Sequence, residues 1–439
     1  MYISRNIDGE LAQWKAEKEA KPLLIRGARQ VGKSTSVRHL AGQFEHFLEI
    51  NFEEQRQVHR LFEGDLDPKL ICENLSLLYN TPIIPGSTLL FFDEIQSCIP
   101  AISSLRFFYE KYPGLHVIAA GSLLEFALEE IPSFGVGRIR SLFVYPLSFD
   151  EYLGAIREAG LLEAKKRADA EKPMAEPLHQ KLTGHVKRFL ILGGMPEVLA
   201  TLIQNNDLSA CGRVLDDLVT SLRTDFAKYK KRVPALRIAE VFDSVVRQAG
   251  GKFVYAKAAS QYNHKQIKEA LDLLIMAGLV IPVTHTAANG LPLGAESNSK
   301  KRKMLLLDTG IFQRLLGLNV ADVMLEDDFD VINKGSIAEQ YTGLELLKAA
   351  SCYRQELLYF WQREAKSSNA EVDYVMQKGQ QIVPVEVKSG KSGAMQSMHL
   401  FIEEKKSSFG VRFSLENYAA YEKIKVYPLY AVSDFVGGK

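Results

Sequence analysis

GARQVGKS, residues 27–34, carries the spacing G-x-x-x-x-G-K-[ST]. It follows an apolar strand-like run and opens a helix-like one, the context in which such a loop grips a polyphosphate. Glycines let main-chain N–H groups curl around the β- and γ-phosphates, and the helix that follows adds the positive end of its dipole. The nucleotide-contacting stretch is therefore read as Gly27, Ala28, Arg29, Gln30, Val31, Gly32, Lys33, Ser34 and Thr35. Lys33 brings a cation to the β- and γ-phosphates, Ser34 a hydroxyl to Mg²⁺, and Thr35 a contact to the α-phosphate.

TLLFFDE, residues 88–94, is an apolar run that ends in two acids. Phosphoryl transfer needs a metal, a cation and a positioned water. Asp93 is placed to hold a water of the Mg²⁺ shell, and Glu94 to orient and polarise the attacking water. Ser122, at the tip of HVIAAGS, is placed to contact the γ-phosphate or that water. Arg138 and Arg140 in FGVGRIR have two readings: an arginine finger toward a neighbouring subunit of a homo-oligomer, or pairing with surface acids.

A second group lies near the C-terminus. In IVPVEVKSG, Val383, Val385 and Val387 alternate with Glu386 and Lys388; in EVDYVM, Val372, Tyr374 and Met376 alternate with Glu371 and Asp373. A hairpin turning on Lys378–Gly379 would pair 377 with 380 and 373 with 384. Asp373 would then lie diagonal to Glu386, at about 7–8 Å between backbones. Two carboxylates at that spacing can share Mg²⁺ or Mn²⁺, which prefer hard oxygen ligands. Lys388 would stabilise phosphate charge or the attacking water. E-x-K alone is uninformative, since it recurs at Glu19/Lys21, Glu163/Lys165 and Glu364/Lys366. Pro384 cannot donate to a ladder, so its strand is expected at an edge or at a bulge.

These residues need a scaffold. PLLIRG (22–27), FLEINF (47–52), TLLFFDE (88–94), LHVIAAGS (115–122) and RSLFVYPL (140–147) read as strands separated by helix-length segments. Strands apolar throughout predict a parallel sheet covered on both faces. Residues 150–230 read as helical, with a tight turn at LILGGMPEVL and a basic cluster, KYKKR, at 228–232. Residues 236–285 read as three helices closed by a short ribbon, the order of a winged helix. In YNHKQIKEALDLL, Asn263, His264, Lys265 and Lys268 fall on the early turns, where DNA-reading helices present such residues. Residues 287–303 read as an exposed loop. A helix near 335–350 and several strands complete the chain.

The 439 residues are 46% apolar and 24% charged, which fits two to four globular domains and excludes a fibrous or disordered chain. Lys plus Arg is 54 against 53 acids, so nucleic-acid binding requires a local basic patch rather than bulk charge. The cysteines at 72, 98, 211 and 352 form no CxxC pair, as expected in a reducing compartment. The N-terminus lacks the apolar core of a signal peptide, and no run of 18 apolar residues occurs. A cytoplasmic protein with no membrane partner is expected.

GARQVGKST, LLFFDEIQ, AAGSLLEF, GVGRIRSLFVYPLSFDEYL and GGMPE, in that order, resemble the bacterial and archaeal AAA-type ATPases fused to a C-terminal domain of unknown function. That C-terminal domain is similar to restriction-endonuclease-like nucleases. The resemblance extends to EVDYVM and IVPVEVKSG and covers nearly the whole chain. It implies an α/β architecture: a P-loop ATPase core at 1–150, a helical lid at 151–232, a winged-helix segment at 233–325 and a nuclease-like domain at 326–439. It implies ATP and Mg²⁺ as cofactors and DNA or RNA as partners. It also implies that Glu339 matches the acidic helix position of such nucleases, giving the metal set Glu339, Asp373 and Glu386. Ser122 departs from the wider AAA pattern, where Asn or Thr is more usual. Two functions follow: an ATPase driving Mg²⁺-assisted phosphodiester hydrolysis, or an ATP-dependent switch or binding module whose nuclease-like domain is silent.

Overall fold

Five strands of the N-terminal part form one sheet, its three inner strands apolar on both sides and its two edge strands only partly buried. In the computed structural model these are β1 (Leu23–Arg26), β2 (His46–Asn51), β3 (Thr88–Asp93), β4 (His116–Ala120) and β5 (Arg140–Phe143). The structure describes residues 1–131, 137–229, 233–318, 320, 334–364, 370–390 and 395–438. Residues 134–136 of FGVGRIR and 230–232 of the basic cluster lie outside the described residues.

The chain divides into two units. The first comprises Met1–Tyr145 with Met276–Gly278 and Ser351–Gln355. Its sheet has the order β2-β3-β4-β1-β5, every pair parallel. β3 and β4 are buried at every residue. Helices Pro68–Tyr79 and Ile99–Lys111 cover one face with Ile71, Leu75, Ile102, Leu105 and Phe108. Phe92 meets Phe52 and Phe62 edge to face at 5.5 and 5.7 Å. Each such fully buried ring contributes about 1.5–3 kcal/mol. The ends of β1, β3 and β4 are thereby fixed, and those ends carry the chemistry.

The second unit comprises Pro146–Ile275, Leu279–Ala350 and Glu356–Lys439. It opens with five helices: Phe149–Ala155, Ala159–Arg167, Glu176–Leu192, Pro196–Asn205 and Leu208–Asp225. PLSFDEYL starts the first of them through a capping box. Ser148 Oγ accepts from Glu151 N at 3.2 Å, and Glu151 Oε2 accepts from Ser148 N at 2.7 Å. GGMPE is also structural. Gly193 has φ 74°, and a Cβ there would overlap the Asp308 carboxylate; Gly194 N donates to Asp308 Oδ2 at 2.6 Å.

An eight-stranded sheet follows: β6 (Val280–Thr286), β7 (Ser297–Leu306), β8 (Leu358–Gln362), β9 (Glu371–Lys378), β10 (Gln381–Val387), β11 (Gly410–Ser414), β12 (Ala419–Tyr421) and β13 (Ile424–Pro428). Its order is β12-β13-β11-β10-β9-β8-β6-β7. The sheet runs across residue 326, joining strands from both sides of that position.

Four local expectations are corrected. Residues 236–285 hold two α-helices, Ala235–Arg247 and His264–Met276, with a 3₁₀ turn at Tyr255–Lys257 where a third helix was expected. Residues 297–303 belong to β7, because β6 supplies an antiparallel partner that local composition does not reveal. The β9–β10 hairpin turns on Gly379–Gln380, with Gly379 at φ 61° and Lys378 paired to Gln381. Glycine at the first central position suits a two-residue turn, and it shifts the register by two. Pro384 lies inside the sheet rather than at an edge: it pairs with Val375 on one side, and the β11 ladder begins only at Val385, past the missing donor.

Candidate functional site

After β1 the chain reverses through three residues of positive φ: Gly27 (145°), Gln30 (61°) and Gly32 (94°). A Cβ on Gly27 would overlap Val144 O, so this position requires glycine for space as well as for φ. Gly32 caps the helix Lys33–Ala41, whose first-turn amides have no helical partners and face the loop side. Thr35 is exposed on that first turn.

Lys33 is 8% exposed, and its Nζ donates to Gly27 O at 2.8 Å and Ala28 O at 2.6 Å. Burial pulls its pKa down to about 8, against the opposing pull of Glu94 and Asp93. Asp93, the last residue of β3, accepts from Ser34 Oγ at 2.8 Å through Oδ2 and from Glu94 N at 3.0 Å through Oδ1. Burial raises its carboxyl pKa. A hydroxyl and a carboxylate in contact are a hard oxygen pair that fits the shell of Mg²⁺.

Glu94 follows the strand in a left-handed conformation, φ 47°. Its Oε2 accepts from Gln96 Nε2 at 2.5 Å and lies 3.3 Å from Ser122 Oγ. The structure thus brings Lys33, Ser34, Asp93, Glu94 and Ser122 to one end of the sheet. Two neighbours escaped the sequence reading. One is Gln96. The other is Arg38, which holds Glu49 by bonds of 2.9 and 2.6 Å and lies 4.0 Å from Asp93 Oδ2. Its signal was positional: four residues after Ser34, it shares that helix face. Arg138 pairs with Glu110, and Arg140 donates to Glu17 at 2.5 Å, so the structure displays the acid-pairing alternative for both.

In the second unit, two of the expected carboxylates, Glu339 and Asp373, gather with Glu371 around a lysine of β7. Lys303, on β7 and 2% exposed, places Nζ 2.8 Å from Glu339 Oε1, 2.5 Å from Glu371 Oε1 and 3.6 Å from Asp373 Oδ1. Asp373 sits at a bulge. Tyr359 pairs with Val375 but Trp361 with Val372, so β9 carries one extra residue opposite Phe360. Asp373 Oδ2 accepts from Val387 N at 2.8 Å, ending the β9–β10 ladder. Glu386 Oε1 accepts from Lys388 Nζ at 2.7 Å, while its buried Oε2 has no hydrogen-bond partner among the described residues.

The expected metal set does not close on one ion. Lys303 Nζ stands between Glu339 and Asp373, and Glu386 is turned to Lys388. Among the described residues no group of three or more His, Cys, Asp and Glu side chains is arranged to hold a metal. Burial and crowding both favour the protonated form of these carboxylates. Burial, with Asp373 nearby, raises Glu339 to about 8 and Glu386 to about 7, partly offset by Lys303 and Lys388. The same carboxylates raise the pKa of Lys303 despite its burial.

The helix His264–Met276 presents Lys265 and Lys268 to solvent. Asn263 Oδ1 accepts from Gln266 N at 3.0 Å as the helix cap, and the His264 ring lies tilted against Tyr255 with centroids 4.3 Å apart. No helix among the described residues is long and apolar enough to cross a membrane. All four cysteines are free.

A parallel five-stranded sheet with a phosphate loop after β1 and paired acids at the end of β3 defines an AAA-type P-loop ATPase domain. Residues 19–153 match the AAA domain family. Residues 183–322 match a domain of unknown function, DUF8612, and residues 334–432 another, DUF4143. No curated protein matches the chain. Among solved structures, it is similar to the Walker-type ATPase PABY2304 of Pyrococcus abyssi. That likeness has 14% identity and a TM-score of 0.48, covering 72% of this chain and 96% of the other. It is also similar to the Aeropyrum pernix ORC1 protein solved in complex with DNA. There the identity is 11% and the TM-score 0.27, covering 74% of this chain and 95% of the other. Both likenesses are too remote to carry a functional argument.

Proposed function

We propose that the protein hydrolyses Mg²⁺-bound ATP at the end of the first sheet and uses the hydrolysis as a switch. The observation that carries this reading is the 2.8 Å bond between Ser34 Oγ and Asp93 Oδ2, which joins the phosphate loop to the acidic end of β3. Bound Mg²⁺ would neutralise phosphate charge, held by Ser34 directly and by Asp93 through water. Lys33 exchanges its carbonyl partners for β- and γ-phosphate oxygens. Glu94 takes the proton of a water whose oxygen attacks the γ-phosphorus; the bond to the β–γ bridging oxygen breaks and ADP leaves. Mg²⁺-dependent phosphate release by the wild type but not by Glu94→Gln, with labelled ATP still bound by the variant, is the expected result. Phosphate release unaffected by that substitution overturns the reading.

For the second unit, the Lys303 geometry favours the silent form of a nuclease-like domain. A buried ammonium already compensates Glu339, Glu371 and Asp373, so these carboxylates hold a cation without recruiting one. The restriction-endonuclease-like reading of residues 326–439 then describes ancestry of shape rather than cleavage. Exposed Lys265 and Lys268 support contact with nucleic acid through the winged-helix-like segment. Incubation with DNA and RNA in Mg²⁺ or Mn²⁺ tests silence directly: cleavage that depends on Asp373 or Lys388 overturns it.

A further inference from the structure

We propose that Gln96 is a positioning residue for ATP hydrolysis: it anchors Glu94 through Oε2 and leaves Oε1 to receive the proton of the attacking water. The proposal rests on the ATPase reading above and deepens it. A glutamate has three rotatable side-chain bonds, and a general base must be held within hydrogen-bond reach of its water. The left-handed φ of Glu94 redirects the chain after β3 but does not fix the carboxylate. Gln96 does. It lies on the 3₁₀ turn Ile95–Ser97, and its Nε2 donates to Glu94 Oε2 at 2.5 Å. The contacts from the Ser122 main-chain N and Oγ fall on the same oxygen, at 3.5 and 3.3 Å. Oε2 is therefore tethered, and among the described residues no hydrogen bond falls on Oε1.

The amide of Gln96 is itself fixed from behind. Its Oε1 packs over Gly121, where a Cβ would overlap it. The reverse amide orientation would set two acceptors against each other, so the donor must face Glu94. In this orientation Oε1 is buried and lacks a partner among the described residues. A buried acceptor left unpaired is uncommon and points to a demand other than stability. Gly121 is not in the left-handed region, so what it supplies is room for this amide.

Three variants test the proposal. Gln96→Leu removes the donor at similar volume. Gly121→Ala displaces the amide without altering Gln96. Both are expected to lower kcat at least tenfold while KM for ATP and the Kd for labelled ATP stay within threefold. Gln96→Glu sets a second carboxylate against the first, so the pair shares a proton. The acidic limb of its kcat–pH profile is expected to move up by at least one unit. Gln96→Leu with kcat within twofold of wild type, alongside an inactive Glu94→Gln, overturns the positioning role and leaves the ATPase reading intact. A parallel collapse of kcat and nucleotide affinity in both Gln96→Leu and Gly121→Ala also overturns it, as a purely structural effect. A wild type that binds but never hydrolyses ATP removes both readings together.

Discussion

Lys33 Nζ donates to Ala28 O across 2.6 Å, so the loop's own carbonyls hold the ammonium that phosphate oxygens would receive. Nucleotide binding must exchange these partners, and the exchange favours phosphate because a charged acceptor is stronger than a neutral one.

Nucleotide affinity should therefore depend on pH in a stated direction. Burial sets the free protein's Lys33 at about 8. Above that pH the lysine loses its proton before ATP arrives. Kd for labelled ATP should stay level from pH 6.5 to 7.5 and rise up to tenfold by pH 9. Lys33→Met should abolish saturable uptake at every pH. Affinity that is level through pH 9 would show that burial does not lower the Lys33 pKa to about 8, and saturable uptake by Lys33→Met would show that Lys33 is not the phosphate-binding cation.

Lys303 gives a stability prediction of known sign. Removing one member of a buried ion cluster leaves uncompensated charge and costs about 3–5 kcal/mol. Lys303→Met should lower stability by that order at pH 7 in urea titration, and Mn²⁺ should raise its Tm more than that of the wild type. Glu339 and Glu386 sit above their unfolded values, at about 8 and 7. Their contribution is fully present below about pH 4.3 and is lost as pH rises through those values. Glu339→Gln should flatten the fall in stability between pH 5 and 8. An unchanged slope would mean that the cluster is solvated.

Asp308 serves two elements at once. It caps the helix Thr309–Leu315 by accepting from Ile311 N at 3.0 Å, and it takes the Gly194 N–H at 2.6 Å. Asp308→Ala removes a cap and orphans a buried donor, a loss of about 2–4 kcal/mol. Gly193→Ala should destabilise the same turn because its φ is 74° and its Cβ has no room. Thermal unfolding of the two variants checks both.

Lys265 and Lys268 predict a salt signature. If both contact phosphates, Lys265→Ala/Lys268→Ala should reduce the slope of log K against log salt by about 1.8 on duplex DNA. A double variant with wild-type slope would remove this helix from the nucleic-acid interface.

The nucleotide site was legible because its information is local. Gly27 to Ser34 is one loop, Asp93 and Glu94 are adjacent, and apolar β3 announces a buried strand that must end where its acids begin. The acidic cluster was only half legible. Alternation placed Glu371 with Asp373, but nothing in EVDYVM signals the extra residue of β9 that re-aims Asp373. Lys303 was invisible for a different reason. Its stretch, SNSKKRK, is polar enough to read as loop, and only pairing with β6, together with carboxylates from residues 339, 371 and 373, makes a buried lysine affordable. Gln96 stood in plain view within LLFFDEIQ, but its role depends on the space over Gly121, which no spacing encodes.

The parallel pairing of β6 with β8 has a consequence for how this chain can be cut or exchanged. A fragment beginning at residue 334 keeps β8 through β13 but strips β6 from the outer side of β8, baring a row of main-chain donors and acceptors ready to recruit foreign strands. It also loses the lysine that quiets its acids. The two segments of unassigned role are thus welded at the level of main-chain bonding, and recombination that swaps either one alone would produce a sticky, overcharged remnant rather than a working module.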